Sequence, residues 1–158
     1  MAIRELRPDE TEVLEEFLYL AIFVPEGVEA PPREIIEKPE LRLYIDCFGF
    51  IEGDHCLVAE EDGKIAGAVW TRIMEDYGHV DNFTPSFAIS LLPEYRGRGI
   101  GTELMKEMLK LLKEQGYEQA SLAVQKANYA VKMYQKVGFE IIDENEEEYI
   151  MVCRLTDD

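Results

Sequence analysis

The chain has 158 residues, 47% hydrophobic and 31% charged, a make-up that excludes a fibrous or disordered class and predicts one domain spanning 1–158. Its net charge of -17 excludes general nucleic-acid binding, which needs basic side chains to replace phosphate counterions, and no apolar run suits a membrane span. The polar opening Met1–Arg7 lacks a secretory leader pattern, so the expected location is cytoplasmic.

Ile3 to Arg7 alternates apolar and charged residues like a short half-buried strand, which Pro8-Asp9 then breaks. Asp9, with Glu12 three residues on, is placed to cap a helix whose core stripe is Val13, Leu14, Phe17, Leu18 and Ala21. Pro25, Pro31, Pro32 and Pro39 punctuate the next stretch. After them Leu41, Tyr44, Ile45 and Phe48 predict a second amphipathic helix ending near Gly49. This proline-bounded region is expected to flank a substrate entrance.

His55 to Glu60 and Ile65 to Ile73 read as a hairpin joined through an Asp62-Gly63 turn. Phe83 to Leu92 predicts a strand closed by Pro93, and Ile100, Leu104, Met108 and Leu111 predict a helix stopping at Gly116. Gln119 to Val124 is then a strand, Asn128 to Val137 a helix, and Phe139–Asp143 and Tyr149–Leu155 two last strands. Interleaved this way, the elements predict an α/β fold, a mixed sheet with helices on both faces. Cys47, Cys56 and Cys153 are odd in number and widely spaced, and neither they nor His55 and His79 have metal-ligand spacing, so no metal is expected.

Between the fourth strand and its helix lies Arg96-Gly97-Arg98-Gly99-Ile100-Gly101-Thr102, with three glycines at alternate positions. Glycine allows close approach and unusual backbone angles, and the first amides of a helix have no internal partner while the dipole adds positive charge. The turn is therefore built to hold a phosphate. From Glu94 to Lys136 eight basic side chains face five acidic ones, a local +3 that leaves -20 on the rest. Neither the dinucleotide fingerprint nor the P-loop fits, because Thr102 stands where the third glycine would fall and no Lys-Ser or Lys-Thr follows Gly101 at the required place.

The turn matches R-x-x-G-x-G through Arg96, Gly99 and Gly101, and Ala130 to Phe139 is similar to an A-x-x-x-Y-x-K-x-G-F segment. Together they resemble the GNAT superfamily of N-acetyltransferases, over essentially the whole chain. One departure is Ala127, where the family commonly has asparagine seven places before the tyrosine; Asn128 stands one place closer.

The resemblance implies a mostly antiparallel mixed sheet and an acetyl-coenzyme A donor. It implies that Arg96 to Thr102 and Asn128 bind that donor, that backbone donors at Leu91 and Leu92 face the reacting carbonyl, and that Tyr134 protonates the leaving thiolate. The acceptor would be a small-molecule or peptide primary amine, and a homodimer is possible by the same likeness. No general base is assigned: Asp81, Glu75, Asp76, Glu60 and a water relay stay open. The alternative reading is a non-catalytic coenzyme A-binding sensor or interaction module. The acids Glu26, Glu29, Glu34 and Glu37 suggest that acceptors with two or more positive charges are drawn in preference, or that these acids only solubilise the chain.

Overall fold

The computed structural model describes residues 1–25, 27–51, 53–74 and 79–155. Its strands are β1 (Ala2–Glu5), β2 (His55–Glu61), β3 (Lys64–Arg72), β4 (Ser86–Leu91), β5 (Gln119–Gln125), β6 (Glu140–Glu144) and β7 (Glu148–Arg154). Its α-helices are α1 (Val13–Ala21), α2 (Pro39–Arg42), α3 (Ile100–Glu114) and α4 (Ala130–Val137). The strands form one sheet in the order β1-β2-β3-β4-β5-β7-β6, antiparallel everywhere except between β4 and β5. The hairpin between β2 and β3 turns on Asp62 and Gly63, both at positive φ (53° and 76°), the geometry that favours an Asp-Gly pair.

Strand alternation sends side chains to two faces. Leu57, Val69, Phe87, Leu122, Val124 and Met151 pack against Leu104, Met105 and Met108 of α3 and Tyr134 of α4. Val58, Ala68, Trp70 and Ala88 pack against Leu14, Phe17 and Leu18 of α1, joined by Ile45. Helices thus cover both faces. No helix of the described residues is long and apolar enough to cross a membrane.

Two expectations are corrected. The helix expected to run to Gly49 is the single turn α2, although Leu41, Tyr44, Ile45 and Phe48 still pack on the sheet as their spacing requires. Buried Arg72 takes the Leu43 carbonyl (Nη1 to O, 3.0 Å), and Asp54 takes the amides of Gly49 and Ile51 (2.8 and 3.1 Å). Backbone groups that a longer helix would use are therefore held by a buried ion pair, and Cys47 lies at φ +53°. At the other site, Asp9 does not cap α1. A 3₁₀ turn, Pro8–Glu10, comes first, and Glu10 accepts the Arg7 amide at 2.8 Å.

The topology has one opening. β4 and β5 share a single register pair, Ser86 with Ser121, beside a bond from the Ser121 amide to the Pro85 carbonyl (2.9 Å). Beyond that point the two parallel strands have no ladder.

Candidate active site

After β4, Pro93–Tyr95 forms a short 3₁₀ turn, Gly97 and Gly99 lie at φ +78° and +81°, and α3 begins at Ile100. Both positions are left-handed, a conformation that costs other L residues roughly 1–2 kcal/mol. Gly101 is different: it is helical, and an added Cβ would meet Met133 Sδ at an ordinary 3.5 Å. The first amide to bond back within the helix is that of Glu103, to the Gly99 carbonyl at 3.2 Å. The amides of Ile100, Gly101 and Thr102 precede it and have no intrahelical acceptor. The Ile100 side chain itself belongs to the core.

The two arginines part company. Arg96 is exposed and lines the cleft beside the turn. Arg98 leans the other way, its guanidinium 5.2 Å over the Tyr95 ring and 3.9 Å from the Glu61 carboxylate.

The cleft has a volume of about 720 Å³ and runs from Arg96, Gly97, Gly99, Gly101 and Thr102 past Ile89 and Leu91 to Asn128, Met133 and Tyr134. Its wall is the unpaired edge of β4. The Leu92 amide donates to the Ala66 carbonyl at 2.8 Å, and Ala68 and Ser90 pair in the same register. Since alternate residues of a strand direct their amides to opposite sides, Leu91 and Ile89 point theirs toward β5, where no ladder receives them. Of the two expected donors, then, Leu91 faces the opening and Leu92 does not. Ile89 was missed by sequence reasoning, although the two-residue period alone carries that signal once one amide is placed.

Asn128 lines the cleft, but its Oδ1 accepts the amide of Ala130, the first residue of α4, at 2.9 Å. Tyr134 is 8% exposed, with its ring edge-on to Phe139 at 6.0 Å. Burial pushes its hydroxyl up to about 12, so it stays protonated.

Tyr134 also lines a second cavity of about 330 Å³, which shares Ala21, Ile22, Phe23, Ile89, Asn128 and Tyr134 with the first and extends among Leu18, Tyr44, Ala88, Ala123 and Gln125. The candidate bases sit elsewhere. Glu60 is bound to Arg4 Nε at 2.7 Å, and Asp81 accepts the Thr84 hydroxyl and the Phe83 amide (2.7 and 2.8 Å), which hold its carboxyl below the usual range. Neither lines either cavity. Glu75, Asp76 and Glu26 lie outside the described residues. Glu29, Glu34 and Glu37 are exposed and line neither cavity. Among the described residues, the carboxylate that does line one is Glu148, in the second cavity. Nothing in the run Glu146-Glu147-Glu148 distinguishes it in sequence.

The model of the Acetyltransferase (GNAT) family matches residues 18–139. A protein of Bacillus subtilis (strain 168), provisionally named ribosomal protein bS18-alanine N-acetyltransferase, is 26% identical over 140 residues, covering 88% of this chain and 80% of that one. The solved GNAT-family acetyltransferase of Streptococcus pneumoniae superposes with a TM-score of 0.71 at 21% identity, covering 98% of this chain and 99% of the other. The PaiA N-acetyltransferase of Thermoplasma acidophilum, solved in complex with coenzyme A, superposes at 0.67 with 24% identity, covering 97% and 98%.

Proposed function

Because the chain belongs to the acetyltransferase (GNAT) family and is an acetyl-coenzyme A-dependent N-acetyltransferase, we propose that it acetylates a primary amine by direct attack, with Tyr134 as the acid. One observation carries this reading. The parting of β4 from β5 gathers the glycine turn, the unpaired edge at Ile89 and Leu91, and Tyr134 around one cleft.

The donor supplies a thioester whose carbonyl carbon is open to nucleophiles. In this reading the amides of residues 99–102 and the Arg96 guanidinium hold its diphosphate, as helix N-termini hold anions. Amides of the β4 edge face the carbonyl oxygen as it gains charge, which preorganised donors stabilise. The acceptor enters by the second cavity and loses a proton to water, since an ammonium near pKa ~10.4 has no lone pair to attack with. As the C–N bond forms and the C–S bond breaks, the Tyr134 hydroxyl protonates the departing sulfur, and the surplus proton that the nitrogen releases as it becomes an amide restores the hydroxyl. The whole of residues 1–158 acts as one domain. A peptide α-amine, the acceptor class in the Bacillus protein's name, is the first to test.

Calorimetry with coenzyme A, followed by turnover of acetyl-coenzyme A against small amines and an alanine-initiated peptide, tests the proposal. Donor binding with no acetylated product from any of these primary amines would overturn the proposed acceptor class.

A further inference from the structure

We propose that Glu148 holds the ammonium of the acceptor, and that the acceptor class is a primary amine with one positive charge set beside an apolar group. This inference rests on the acetyl-transfer reading of the two cavities. Glu148 opens β7 opposite Gln125 of β5. In β7, Met151 and Cys153 pack on the α3 face, so the period of two turns Glu148 to the opposite face, the one α1 covers. Its backbone is tied on both sides of the tight turn from β6: its amide donates to Asn145 Oδ1 at 2.7 Å and its carbonyl accepts the Asn145 amide at 3.0 Å. The side chain is half-buried and lines the second cavity, while its neighbours Glu146 and Glu147 are exposed.

The rest of that cavity combines an apolar wall of Leu18, Ala21, Ile22, Phe23, Leu41 and Val124 with the uncharged polar side chains of Tyr44, Gln125, Asn128 and Tyr134. An ammonium entering such a wall loses hydration and needs an anionic partner, and among the described lining residues Glu148 supplies it. A second ammonium on the same molecule would find no second carboxylate among the described lining residues. The geometry thus selects a single charge next to hydrocarbon, in contrast to the polycation preference expected from the acidic region 26–37.

The test is titration by ligand-observed NMR, with coenzyme A saturating and about 0.15 M salt to screen the distant surface charges. The probes are n-pentylammonium, n-pentanol and pentane-1,5-diammonium. Wild type should bind n-pentylammonium about tenfold or more tighter than n-pentanol, the range that a hydrogen bond to a charged partner confers. Glu148→Gln should erase that advantage, and Glu146→Gln, which removes the same charge from an exposed position, should keep it. The diammonium should bind no tighter than the monoammonium.

Equal wild-type affinity for ammonium and alcohol overturns the assignment, and that comparison needs no variant to fold. So does an advantage that survives in Glu148→Gln, or tighter binding of the diammonium. Turnover plays no part in these measurements. Failure of coenzyme A to bind would instead count against the acetyl-transfer reading.

Discussion

Tyr134→Phe separates chemistry from packing. The substitution keeps the ring that lies edge-on to Phe139 at 6.0 Å and deletes only the hydroxyl. No hydrogen bond is given up among the described residues, so stability should change by less than about 1 kcal/mol, a Tm shift under roughly 4 °C for a chain of this size. Loss of a general acid, by contrast, lowers kcat by about 10²- to 10⁴-fold. The assay is steady-state acetylation beside pre-steady-state bursts, so that chemistry is known to limit the rate, with coenzyme A affinity as the control. The pH profile adds a second readout. Burial moves the hydroxyl from its ordinary value of 10 up to about 12, so wild-type kcat should hold through pH 10. The raised value also means that the stability linked to this group is present below pH 10 and is lost as pH rises toward 12. An unchanged kcat in Tyr134→Phe with chemistry limiting would refute the role and leave the residue a core aromatic.

Gly99→Val forces a β-branched residue to φ +81° at the head of α3; we expect coenzyme A affinity to drop about tenfold or more while exposed Lys110→Ala leaves it almost unchanged, and equal effects in calorimetry would remove the turn from the donor site. Asp54→Ala strands the Arg72 guanidinium, whose side chain is 1% exposed; breaking such a buried pair costs about 3–5 kcal/mol, so thermal melts should show Tm lower by roughly 6–20 °C, and a drop below about 3 °C would contradict the pinning of residues 43–54. Hydrogen bonds from Arg4, then the Arg7 amide, hold Glu10 at about 2 instead of 4.5. Its contribution is therefore present above pH 4.5 and fades as pH falls toward 2, so urea midpoints across that window should decline more steeply in wild type than in Glu10→Gln.

Element types were legible wherever a period was strong. The stripe of Leu104, Met108 and Leu111 and the Asp62-Gly63 turn are local signals, and local backbone preference decided their conformation. The segment after Pro39 had an equally clear apolar spacing, yet α2 stops after one turn because Arg72 and Asp54, distant in sequence, claim its backbone groups. The glycine turn could be read at once because phosphate binding by a strand-to-helix turn is encoded within seven consecutive residues. The second cavity could not.

What the sequence by itself determined was therefore the family, the alternation of strands and helices, and the candidate donor turn, since each rests on neighbours along the chain or on a short spaced pattern. Only the tertiary structure decided which amides of β4 face the opening, that Arg98 leans toward Tyr95 and Glu61 while Arg96 lines the cleft, and that Glu148 rather than Glu146 or Glu147 lines the cavity. Those choices follow from sheet register. A shift of one residue reverses the face of every side chain and the direction of every amide, and register is set by pairing between segments far apart in sequence.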